Sequence, residues 1–150
     1  MSHSFTKIWI HAIWSTKERF PLVEPKFETQ IHDYMRQEYI KMGCPVRIIN
    51  GMPDHIHCLF LLSAQKSIAT VIKQVKGSSS HFINEKNWCS QPFAWQKGYA
   101  AYAVSESVVQ KVFEYIKNQK QHHQKRTFQQ EHNEFLSIYG LEEQEEQEQQ

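Results

Sequence analysis

Apolar and polar positions along this chain recur with two periods, and those periods predict its elements. Residues 5–14 alternate and are rich in Ile, Trp and Phe, as a strand does, and polar Ser15-Thr16-Lys17-Glu18-Arg19 leads as a loop to Pro21. Pro25 can open a helix in which Phe27, Ile31, Tyr34, Met35, Glu38 and Met42 trace a mostly apolar helical spacing until Gly43 and Pro45 end it. Residues 46–50 read as a second strand, Gly51-Met52-Pro53-Asp54 as a turn and residues 55–62 as a third strand, so 46–62 is predicted to be a β-hairpin. Ser67 is placed to cap a helix with Ile68, Val71, Ile72 and Val75 on one face. That helix continues through Gly77-Ser78-Ser79-Ser80 to Phe82 and Ile83. The Gly-Ser patch is poor helix material, and its small residues permit close approach of a backbone, of the protein or of a nucleic acid. An aromatic loop (Trp88, Phe93, Trp95) precedes a fourth strand at 99–104. Ser105 then starts a helix carrying Val108, Val109, Val112, Phe113 and Ile116, and Thr127 with Gln130 has the capping-box form for a last short helix through Leu136.

The resulting order, β-α-β-β-α-β and then helices, predicts an α+β, ferredoxin-like fold. It has a four-stranded antiparallel sheet, helices packed on one face, an extra C-terminal helix and the other face open for a substrate, partner or metal. With 150 residues and 40% hydrophobic content, a single domain over 1–140 is expected. Residues 141–150 form a Glu/Gln tail expected to be disordered. The tail changes the reading of charge. It holds five of the 16 acidic side chains, which leaves 11 against 17 Lys and Arg in the body and turns a net charge of +1 into a moderately basic surface. Such a surface suits a polyanion such as nucleic acid, although many proteins with no such partner share it. Three dispersed cysteines, Cys44, Cys58 and Cys89, argue for a reducing compartment and against a disulfide framework. No signal-peptide layout or membrane-length apolar run is present, so a cytoplasmic location is expected.

The chemistry is concentrated in Asp54-His55-Ile56-His57. On a strand, His55 and His57 share one face, and two neutral imidazoles side by side are two thirds of a divalent-metal site. Two half-buried histidines satisfied by backbone carbonyls would show the same pattern. Asp54 lies close enough to orient one imidazole. Tyr115 and Gln119, one helical turn apart, could supply a nucleophile and a further ligand, although a tyrosine beside Val108, Val112 and Phe113 also fits a core position.

Taken together these residues resemble the HUH single-tyrosine transposases of small insertion sequences and their repeat-associated relatives. The resemblance covers nearly the whole chain: the aromatic first strand with Trp14-Ser15-Thr16-Lys17, then Met52-Pro53-Asp54-His55-Ile56-His57, then Tyr115-Ile116-x-Asn118-Gln119. It implies His55, His57 and Gln119 as metal ligands, Mg²⁺ or Mn²⁺ as the cofactor, and Tyr115 as the nucleophile. It further implies cleavage and rejoining of single-stranded DNA through a 5′-phosphotyrosine, hairpin recognition at the DNA ends, and a homodimer whose active sites are shared between subunits. Lys17, Arg19, Arg47, Lys73 and Lys76 are candidate DNA contacts, although each also reads as an ordinary solvated cation. A domesticated repeat-associated relative, a relaxase-like nickase and, from another class, a non-catalytic nucleic-acid-binding module remain as alternatives.

Overall fold

The computed structural model describes residues 4–122 and 128–139. It forms two compact units, residues 1–117 and 118–150, so the expected domain span of 1–140 runs across the division between them. The expected disordered tail and the Thr127 cap fall outside the described residues.

The first unit contains β1 (Trp9–Ser15), α1 (Glu28–Lys41), β2 (Val46–Met52), β3 (His55–Leu61), α2 (Ile68–Lys86), β4 (Ala100–Val104) and α3 (Val109–Lys117). The sheet order is β2-β3-β1-β4 with every neighbouring pair antiparallel, the arrangement expected for a split β-α-β repeat. The turn of the β2–β3 hairpin is tighter than predicted: Gly51 and Met52 stay in the strand, leaving Pro53 and Asp54 as the connection.

Because β3 is buried on both faces, its residues read as a nearly unbroken apolar run interrupted by the two histidines. One face of the sheet presents Ile10, Ala12 and Trp14 from β1 with Ile56, Cys58 and Phe60 from β3. These pack under Ile31, Met35 and Tyr39 of α1 and Val71, Ile72 and Val75 of α2. Stacked Tyr34 and Phe82 rings, 4.2 Å apart, join the two helices above that core. The Gly-Ser stretch of α2 remains helical, and its small side chains admit protein: Trp95 Nε1 donates to the buried Ser79 Oγ at 2.9 Å, and Ser80 Oγ to the Phe93 carbonyl at 3.3 Å. Trp95 is therefore a core residue, and Trp88 stacks on Phe27 at 4.6 Å. Ser67 caps α2 as expected, its side chain accepting from the Thr70 N–H, and left-handed Asn87 ends it.

The opposite face is not fully open. Strand pairing places His55, His57 and Leu59 on it with Ile13 and His11, and α3 lies against β2 on this side. The physical reason is the amphipathicity of α3, whose Val109, Val112 and Ile116 are buried and need apolar cover.

The second unit contains α4 (Gln119–His122) and α5 (Phe128–Tyr139). The helix predicted to carry both Tyr115 and Gln119 divides at Asn118. Asn50 Nδ2 donates to the carbonyls of Ile116 at 2.9 Å and Lys117 at 3.2 Å, groups that a continuing helix would use for its own ladder.

Candidate active site

The β2–β3 turn places the first functional groups. It is held from outside by the loop after β1: the Thr16 N–H donates to the Asp54 carbonyl and the Val23 N–H to the Pro53 carbonyl, both at 2.9 Å. In the short 3-10 turn of that loop, Glu18 and Arg19 have left-handed φ angles of 54° and 60°, and Arg19 Nη2 reaches Asp54 Oδ2 at 3.3 Å. The other carboxylate oxygen, Oδ1, accepts from His55 Nδ1 at 2.8 Å. Burial pushes the Asp54 carboxyl up, but the His55 hydrogen bond and charge, with Arg19, together hold it below its ordinary value. An ionised Asp54 requires the His55 proton on Nδ1, which leaves Nε2 as the donor atom of that ring in its neutral form.

His57 lies one strand repeat further along, fully buried like His55, with ring centroids 5.3 Å apart and ring nitrogens within 4.8 Å of each other. Its Nδ1 is hydrogen-bonded at 2.9 Å to Nε2 of His11, a buried β1 residue. Two imidazoles on one rigid strand, each tied at Nδ1, form a donor pair that fits a divalent cation at their Nε2 atoms.

Tyr115 approaches from α3, its ring meeting that of His57 at 6.4 Å between centroids and 64° between planes. The helix is fastened to β2 at two levels. Asn50 holds its C-terminal carbonyls, while Arg47 lies 4.8 Å from the Phe113 ring and donates to Gln110 Oε1 at 2.7 Å. The first unit thus brings together His55, His57, Asp54 and Tyr115. Gln119 belongs to the second unit, where its Nε2 donates to Glu131 Oε1 at 2.9 Å.

The candidate DNA contacts are dispersed. Lys17 is exposed on the loop after β1, Arg19 faces Asp54, and Arg47 is engaged by α3. Lys73 is exposed on α2, across the sheet from the histidines, and Lys76 donates to the carbonyls of Gln96 and Gly98 at 2.7 Å. Burial lowers the Lys76 pKa from its ordinary value. Sequence reasoning missed His11 and Asn50. Only the β1–β3 register brings His11 beside His57, and only the docking of α3 gives Asn50 its carbonyls.

Residues 4–119, which span both histidines, the tyrosine and Gln119, match the family described as "Transposase IS200 like". The chain belongs to the IS200-like transposase family. This transposase is 28% identical over 116 residues to the ISDra2 transposase TnpA of Deinococcus radiodurans, the match covering 73% of this chain and 81% of that protein. It is also similar to a crystal structure of a candidate transposase from Deinococcus radiodurans, with TM-score 0.62 and 25% identity, covering 79% of this chain and 95% of the other. A REP-associated tyrosine transposase bound to a REP hairpin shares the fold at TM-score 0.61 and 13% identity, covering 82% and 74% of the two chains. Membership makes the protein a DNA-processing enzyme. Among its described helices, none is long and apolar enough to cross a membrane.

Proposed function

We propose that this IS200-like transposase cleaves and rejoins single-stranded DNA at insertion-sequence ends through a 5′-phosphotyrosine on Tyr115. The observation that carries the reading is the meeting of Tyr115 with His57 beside the tethered imidazole pair. His55 and His57 would hold Mg²⁺ or Mn²⁺ through Nε2. Gln119 is taken as the third ligand on the family resemblance, and with its Nε2 donated to Glu131 it would bind through Oε1, the oxygen a hard cation prefers. When bound, the cation polarises the scissile phosphate and balances charge gathering on its oxygens. The Tyr115 oxygen bonds to phosphorus while the bond from phosphorus to the 3′ oxygen breaks in line; the phenol gives up its proton and the departing 3′ oxygen takes one up to leave as a hydroxyl. The phosphotyrosine keeps the energy of the broken phosphodiester, so a second 3′-hydroxyl can reverse the attack without ATP. Attack by water would lose that energy, so the reaction requires bulk water to be kept from the phosphotyrosine until the acceptor strand arrives.

The partner is single-stranded DNA ending in a hairpin, and the working form is a homodimer whose tyrosine helices exchange between subunits, both taken from the family resemblance; Tyr115 beside its own chain's His57 would be one of the two placements such an exchange visits. The test is incubation of the protein with labelled hairpin-ended single strands and Mg²⁺, followed by denaturing electrophoresis. An adduct that is lost in Tyr115→Phe and on chelation of the metal is the expected result. Cutting by Tyr115→Phe would overturn the nucleophile. Binding by the wild type with neither adduct nor cut would favour a non-catalytic nucleic-acid-binding module.

A further inference from the structure

His11 has no role in the proposed chemistry, yet it is fully buried on β1 with Nε2 2.9 Å from His57 Nδ1. The two rings also stack, with centroids 5.2 Å apart and planes 28° from parallel. Its neighbours across the strands are Leu59 and Tyr102, and Ile13 follows it on the same face. A leucine there would fill the space without a polar atom to satisfy, so a buried imidazole needs a reason.

Two neutral imidazoles joined by one hydrogen bond share one proton, and there are two ways to place it. In one, His11 donates and His57 carries its own proton on Nε2, which removes that nitrogen as a ligand. In the other, His57 Nδ1–H donates, His11 Nε2 accepts with the His11 proton on Nδ1, and His57 Nε2 keeps its lone pair. The first histidine of the pair shows the same logic with its answer settled, because an ionised Asp54 can only accept from His55 Nδ1. We infer that His11 is the positioning residue for His57, accepting its Nδ1–H and so holding the ring with Nε2 as the cation-binding nitrogen. Asp54 and His11 are then matched devices, one for each imidazole, supplied by the turn and by the neighbouring strand.

The inference rests on the cation reading above, and the experiment separates the two. In ¹⁵N-labelled, cation-free protein with neutral rings, two-bond ¹H–¹⁵N spectra are expected to show His57 protonated at Nδ1. That preference should be lost in His11→Leu and kept in His11→Gln, whose side-chain oxygen can accept. Mn²⁺ titration followed by electron paramagnetic resonance is expected to show a roughly 10- to 100-fold weaker site in His11→Leu, with His11→Gln recovering most of the affinity. A wild-type His57 protonated at Nε2, or His11→Leu binding Mn²⁺ as tightly as wild type, overturns the assignment of His11. A wild type with His57 protonated at Nδ1 that binds no Mn²⁺ overturns the cation reading instead, and with it the use His11 serves.

Discussion

Among the described glycines, Gly51 is the one whose smallest enlargement should cost most. It sits in β2 opposite Ile56, and a Cβ built on it would lie 2.3 Å from the His55 carbonyl oxygen and 2.9 Å from Ile56 Cα. Its φ is not positive, so alanine meets no backbone penalty and the whole effect is steric. Relieving the contact means moving the His55 carbonyl by about 1 Å, a displacement the spacing of paired strands does not absorb. Overpacking of this kind costs about 1–3 kcal/mol, and the loosened strand hydrogen bonds add about 1 kcal/mol each. Gly51→Ala should therefore lose about 3–5 kcal/mol and lower Tm by about 10–15 °C for a chain of this size. Gly77→Ala is the control: with nothing within 4 Å of its Cβ and a helical backbone, it should gain up to about 1 kcal/mol. Thermal unfolding by circular dichroism, with urea titration for the free energy, reads both. A Gly51→Ala Tm within about 2 °C of wild type would refute the close approach of β2 and β3 at the site.

Other outcomes follow from the same contacts. Asn50→Ala removes two side-chain hydrogen bonds to the end of α3, so stability should fall by about 1–2 kcal/mol by urea titration while adduct formation falls further, since α3 carries Tyr115. Equal losses in the two measurements would mean that Asn50 does not position the helix. Burial pushes the Cys58 thiol up to about 12, and Cys44 is buried too, so a thiol reagent read by mass spectrometry should modify Cys89 first and the other two only on unfolding. The Lys7 and Trp9 hydrogen bonds lower the pKa of Glu106. Its contribution is therefore present above the ordinary glutamate range and lost as pH falls through the lowered value. The Tm gap between wild type and Glu106→Gln should accordingly close as pH drops below about 4.

How much of this was legible in the sequence depended on range. Period-two alternation places His55 and His57 on one face without any knowledge of partners, and the Ser67 cap and the hairpin are likewise local facts. The continuous Tyr115–Gln119 helix failed because its end is set from outside, by Asn50 on a strand more than sixty residues earlier. The Gly-Ser stretch left open what approached it, and the loop carrying Phe93 and Trp95 supplies the answer. His11 looked like one more member of an aromatic strand, because nothing within residues 5–14 says which β3 side chain will lie beside it.

Register links these cases. Ile56 and Cys58 alternate with His55 and His57, so a slip of one residue in the β1–β3 pairing would drive the imidazoles into the helix-covered core and turn two apolar side chains toward Tyr115. The chain opposes that slip at both edges of β3. Gly51 admits only the alignment that sets it against Ile56, because the backbone there leaves no room for a side chain on β2. At the turn, the Thr16 N–H is fixed to the Asp54 carbonyl at 2.9 Å, which locks Ser15 against His55 and leaves His11 within reach of His57. The residues that define the chemistry are thus few, while those that define where it sits are spread over β1, β2 and the loop between β1 and α1. The Thr16 hydroxyl adds side-chain bonds to the Asp54 carbonyl at 3.2 Å and the Phe20 carbonyl at 2.6 Å, so substitutions at Gly51 or Thr16 should disturb the imidazole pair without touching it.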